Sequence, residues 1–182
     1  AFAAMESIFA LWALRQLDWG PEKVGYVFAY LGLLSAIMQG GLTRRLTKRY
    51  GEERLLLCGL VLLAIGLVVV PFSRDLALLG GAFAVLAIGL GLTQPALTSL
   101  ISRRACGGEQ GEVLGVTQSI GSLARVIGPP LAGYLFADLG HSSPFLWGAM
   151  LVVLAFLLAL NLFGGFGAAR LVEPEPPLGP AR

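Results

Sequence analysis

Apolar residues run through this chain in blocks the length of a bilayer, separated by short polar breaks. A hydrocarbon core of about 30 Å takes about 20 helical residues to cross. Val24–Thr43 is charge-free over 20 residues, Leu55–Ser73 over 19 and Leu76–Ser102 over 27. Val113–Ala137 is interrupted only by Arg125, and Ser142–Ala169 carries no formal charge. The first run, Ala1 to about Leu17, is shorter and contains Glu6, and it reads as the remainder of a sixth span whose start is missing. No stretch alternates as a strand does. Only helices and closed barrels satisfy backbone groups in lipid, so the pattern predicts an all-α membrane protein with six transmembrane helices over residues 1–169.

The breaks carry turn chemistry. Asp18-Trp-Gly-Pro-Glu-Lys23 is a turn with Trp19 at interface height, Ser73-Arg-Asp75 is a tight connection, and Pro144 opens the last helix. After Gly167 the chain becomes Glu173-Pro-Glu-Pro-Pro177, which predicts a disordered tail over 170–182.

Composition agrees with lipid as the solvent: 13% of residues are charged, against about 25% in a soluble domain. A net charge of +2 without a basic–aromatic stripe excludes a nucleic-acid partner. Cys58 and Cys106 read as free thiols and His141 as a solvated loop residue. Orientation follows from nine Lys and Arg on one face (Arg44, Arg45, Lys48, Arg49, Arg54, Arg103, Arg104, Arg170, Arg182) against Arg15, Lys23 and Arg74 on the other. The positive-inside rule puts the nine, and the C-terminus, in the cytoplasm of a multi-pass protein of the cell (inner) membrane. Small residues recur every four positions at Gly32, Ala36, Gly40 and at Ala124, Gly128, Ala132, spacings that let helices approach closely.

Two charges lie inside spans. Glu6 is 12 residues before Asp18 and Arg125 is 13 before Asp138, so both fall roughly 18–20 Å below the outer surface at 1.5 Å per residue. Charges at bilayer depth cost about 2.5–3.5 kcal/mol or more and mark pathways or buried pairs. The two are expected to meet, either as a proton-coupling pair whose carboxylate responds to its partner or as a static pair that fixes packing. Gln118, Ser122 and Arg125 share one face of the fifth span, and Gln94 precedes Pro95, which frees a carbonyl in the fourth. Together they either line a polar path or bond between helices. There is no phosphate-binding Gly-rich loop, no His-Glu-x-x-His and no zinc-spaced cysteine pair, so neither enzyme chemistry nor a cofactor is expected.

Three stretches carry a family resemblance: Phe2–Leu11, Gln39–Arg54 and Gly115–Gly133. Together they make the chain resemble the C-terminal six-helix half of a major facilitator superfamily transporter, similar to bacterial tetracycline and multidrug:proton antiporters. The second stretch is similar to a degenerate copy of the family's cytoplasmic loop motif: anchored on Gly51, its arginines fall on Arg49 and Arg54, while Lys48 replaces the motif's Asp and Arg44 its Gly. The third resembles the antiporter motif at Gly115, Ala124, Gly128, Pro129, Ala132 and Gly133, with Ala replacing Gly twice. The resemblance implies one half of a twelve-helix fold that rocks about a midplane site, with an N-terminal half, protons, a small-molecule substrate and membrane lipid as partners. It also implies proton-coupled efflux of small amphipathic drugs. Glu6 and Arg125 would then serve coupling, Gln94, Gln118 and Ser122 the cavity, and Gly128 with Pro129 a helix bend. Uptake of a solute, or a six-helix module that does not transport, stays open.

Overall fold

The computed structural model describes residues 2–73, 75–104 and 110–170, the side chains of residues 164–170 aside. Arg74, Cys106 and the expected tail after Arg170 lie outside the described residues. The regular elements among the described residues are all helical: α1 (Phe2–Leu17), α2 (Pro21–Ile37), a π-helical turn (Met38–Leu42), α3 (Thr43–Tyr50), α4 (Glu52–Val69), a 3₁₀ turn (Val70–Phe72), α5 (Leu76–Arg104), α6 (Gln110–Asp138) and α7 (Ser143–Arg170). Because α2, the π turn and α3 form one continuous run, Pro21–Tyr50, the architecture is six helical rods. Five of them are long and apolar enough to cross a membrane, and α1, at 16 residues, is shorter.

One expectation changes here. Residues 44–50, read as a loop, are helix α3. Nothing between Leu42 and Tyr50 breaks a helix, and the run stops only at Gly51, whose φ of +83° suits glycine.

α1 is the hub of the bundle. Met5, Ile8, Phe9, Trp12 and Ala13 are all buried, and their spacing makes one apolar stripe. Phe9 touches three rings: Trp12 at 5.8 Å, Phe28 of α2 at 5.6 Å and Phe83 of α5 at 4.8 Å. Trp12 reaches Phe145 of α7, again at 5.8 Å. Around this hub α4 packs on α5 and α7, α5 on α2, and α6 on α1.

The closest helix approaches occur at other glycines than those expected. A Cβ at Gly59 would overlap Thr93 Oγ1 and lie 3.0 Å from the Gly89 carbonyl; one at Gly66 would lie 2.5 Å from Leu86 Cγ. These contacts join α4 to α5. Gly32 and Gly40 meet nothing within 4 Å. The reason is rotational: α2 buries Val24, Leu31 and Met38, seven residues apart, and the small-residue ridge lies off that line. The second ridge fares better, since Gly128 sits 3.6 Å (as a built Cβ) from Ala4 N and Ala132 is buried.

Pro95 has no N–H, so the Gly91 carbonyl four residues earlier loses its helical donor. The structure supplies a substitute from another rod. Thr43 Oγ1, buried at the end of the π turn, lies 3.0 Å from Gly91 O and 2.8 Å from Met38 O. Met38 O also accepts the Thr43 backbone N–H, so the Gly91 carbonyl depends most on the hydroxyl. A Cβ at Gly91 would lie 2.5 Å from Met38 Cβ, so the kinked α2 rod seats directly on α5 here.

Candidate functional site

The two halves of α6 behave differently. In the C-terminal half Gly128 fits against Ala4 of α1, and Ala132, Leu135 and Phe136 are buried. Pro129 and Pro130 lie within the helix and relieve the carbonyls of Arg125 and Val126 of their donors. In the N-terminal half nearly every side chain is open: Gln118, Ser119, Ser122 and Arg125 are exposed, and so are Val116, Ile120, Leu123, Val126 and Ile127. Ser119 and Thr117 return their hydroxyls to their own helix at 2.9 and 2.8 Å, as such residues do in apolar surroundings. Arg125 Nη2 donates to Ser122 Oγ at 3.1 Å. Gln118 lies one turn before Ser122 on the same face and has no hydrogen-bond partner among the described side chains.

Glu6 is exposed on α1, the helix that α6 packs against. Glu6 and Arg125 form no ion pair among the described residues. The Ala4–Gly128 contact explains why. Glu6 is two residues beyond Ala4 and Arg125 three before Gly128, an axial offset of about 7.5 Å for helices running the same way. Equal depth was expected from counting back from Asp18 and Asp138, but the C-terminal ends of α1 and α6 are not level. The guanidinium therefore rests on Ser122.

The other expected residues are dispersed. Gln94 is exposed on α5, its carbonyl accepts the Thr98 hydroxyl at 3.0 Å, and it bonds to neither Gln118 nor Ser122. Gly115 and Gly133 meet no neighbour within 4 Å. Arg49 stacks its guanidinium 5.4 Å from the Tyr50 ring, Gly51 makes the turn, and Arg54 is exposed in the first turn of α4.

Two clusters were not anticipated. Glu52, in the first turn of α4, accepts from Ser99 Oγ at 2.6 Å and from Arg103 Nε at 3.2 Å; its side chain is 9% exposed. Glu53 pairs with Arg104 at 3.3 Å. Acids opening α4 and bases closing its antiparallel neighbour α5 carry the signal, because each complements its helix dipole and topology brings the two ends together. At the opposite end, His141 is not merely solvated: Arg15 Nη1 lies 3.1 Å from its Nε2. Phe136 packs edge-on to the imidazole at 4.8 Å and under the Arg15 guanidinium at 5.4 Å.

Several recesses open on the described residues. One of about 450 Å³ between α4, α5 and α7 is lined by Leu60, Thr93, Leu97, Arg104, Ala159 and Phe163. Another of about 850 Å³, where the end of α1 meets the starts of α2 and α5, is lined by Trp19, Lys23, Tyr26, Tyr30, Asp75 and Phe83 among others. Gln94 lines neither.

The family model described as Major Facilitator Superfamily matches residues 1–182. Among similar proteins, the Hippocampus abundant transcript 1 protein of Mus musculus is 30% identical over 187 residues, covering 87% of this chain and 38% of that protein. The Tetracycline resistance protein, class C, of Escherichia coli is 30% identical over 131 residues, covering 70% and 33%. The solved structure of the human organic anion transporter MFSD10 (TETRAN) superposes with a TM-score of 0.76 at 24% identity, over 87% of this chain and 38% of that one. The chain thus spans well under half the length of the relatives it matches.

Proposed function

The chain belongs to the major facilitator superfamily, and from that premise we propose that it supplies one half of a proton-coupled exporter of small amphipathic organic compounds. The observation that carries this reading is the N-terminal half of α6. A stretch bearing Gln118, Ser122 and a full charge, Arg125, lies in a span of bilayer length and is left exposed among the described residues. Lipid against that face would be costly. Water in a transport cavity, walled on its far side by an N-terminal half, is the environment that accommodates it. Glu6 lies on α1, the helix packed against α6, and its carboxylate serves as the proton carrier with Arg125 as its coupling partner. The tetracycline-resistance relative supports efflux as the direction, and the end of the bundle bearing Arg49 and Arg54 is then cytoplasmic.

The test is Glu6→Gln in the intact carrier, reconstituted in proteoliposomes with an imposed pH gradient. Proton-driven transport is expected to stop while the protein still accumulates in the membrane. Undiminished pH-dependent transport would remove Glu6 from the mechanism.

An exposed guanidinium held by one hydroxyl also suits an organic anion as substrate. Competition of matched amphipathic anions and cations, in wild type and in Arg125→Gln, separates the two: an anion site loses anion competition selectively in the variant.

A further inference from the structure

The cluster around His141 has no part in the transport reading above, and it has a definite chemistry. Arginine carries only N–H donors and remains charged. The contact of Arg15 Nη1 with His141 Nε2 at 3.1 Å therefore requires Nε2 to be the acceptor, which makes the imidazole neutral with its proton on Nδ1. Protonation of Nε2 removes that acceptor and sets two cations against each other. Phe136 offers nothing to offset the repulsion, since its ring already packs on both partners.

The contact also joins separate parts of the fold. Arg15 is in the last turn of α1, the hub helix that carries Glu6. His141 is in the α6–α7 turn, fixed by Gly140 at φ +101° and by Ser143, whose hydroxyl lies 2.6 Å from Leu135 O. Among the described residues, the other charged groups at this end are Asp18, Glu22 and Lys23 between α1 and α2, Asp75 ahead of α5, and Asp138 closing α6; Arg74 lies outside the described residues. Glu22 takes the Tyr26 hydroxyl at 3.2 Å, α7 brings no charge to this end, and no carboxylate pairs with Arg15 among the described residues. Neutral His141 thus holds Arg15 to the α6–α7 turn, beside the Phe136 ring of α6.

We propose that His141 is a proton-operated latch: neutral, it ties the outer end of α1 to the α6–α7 turn through Arg15; protonated, it releases it. The latch is closed while the imidazole accepts from Arg15 and open once Nε2 carries a proton. With the basic Arg49–Arg54 end in the cytoplasm, the proton it reads comes from outside.

Hydrogen exchange of the intact protein in nanodiscs tests this without any transport assay, so it fails or succeeds independently of the proposed function. The reporters are the amides of Leu139, bonded to Leu135 O at 3.0 Å, and Ser143, bonded to Gly140 O at 3.1 Å. After correction for intrinsic exchange, their protection is expected to fall at least about tenfold from pH 8 to pH 5.5. His141→Gln keeps an acceptor that does not titrate, and it should hold protection high at both pH values. His141→Lys should hold it low at both. Wild-type protection that does not change with pH, or a glutamine variant that keeps the full pH dependence, would overturn the latch; the second result would assign the dependence to Asp18 or Asp138.

Discussion

Thr43→Val isolates the contact on which the kinked α2–α3 rod is seated. Valine fills the same space and removes only the hydroxyl. The Gly91 carbonyl, deprived of its helical donor by Pro95, is then left in a buried site with no hydrogen-bond partner. A buried acceptor left unsatisfied costs about 1–3 kcal/mol. For a chain of this size each kcal/mol moves the melting temperature by about 2–4 °C, so a central value of ~2 kcal/mol predicts a fall of about 4–8 °C. Circular dichroism of the purified protein in detergent measures it. Thr47→Val serves as control, because the Thr47 hydroxyl bonds only its own helix at Thr43 O, 2.8 Å, and its loss should change stability by less than ~0.5 kcal/mol. The decisive comparison is Pro95→Ala. Alanine restores an N–H for Gly91 O, so in that background Thr43→Val should cost under ~0.5 kcal/mol, and the double-mutant cycle should show a coupling of about 1–2 kcal/mol. Equal falls in both backgrounds would refute the link between the proline and the threonine, and no fall in either would refute the buried bond.

Three other outcomes follow from the packing. Phe9→Ala, which removes the ring at the meeting point of α1, α2 and α5, should destabilise by about 3–5 kcal/mol in the same melting assay. Gly89→Ala should cost about 1–3 kcal/mol, because its Cβ would lie 2.9 Å from Leu63 N and 3.0 Å from Gly59 O, whereas Gly32→Ala, in open space, should stay within ~0.5 kcal/mol. Glu52→Ala should cost about 1 kcal/mol and speed exchange of the Ser99 region, since Ser99 loses its acceptor while Arg103, 74% exposed, returns to water.

The spans were legible because bilayer thickness imposes a length that soluble packing does not. What escaped depended on rotation, register or tertiary contact. The Gly32–Ala36–Gly40 ridge was visible as a pattern, but small residues do not say which face of a helix meets a neighbour, and the face that does is set by Val24, Leu31 and Met38. Residues 44–50 carry so many charges that they resembled a loop; a charged helix leaving the membrane has the same composition. Glu6 and Arg125 lie on helices that pack together, but the expectation of equal depth assumed level helix ends. Pro95 announced a free carbonyl without naming Thr43, 48 positions earlier in the chain than its acceptor. A lone histidine carries no periodicity, so its arginine partner 126 positions away left no trace in the sequence.

The proposed transport role rests on the polar face of α6, and thiol accessibility reads that face directly. In the intact carrier with Cys58 and Cys106 replaced by serine, Ser122→Cys should react with a membrane-impermeant maleimide, and the rate should change when substrate or a pH gradient is applied. A Ser122→Cys thiol inert under every condition, as one facing lipid would be, would contradict the placement of this face on an aqueous pathway.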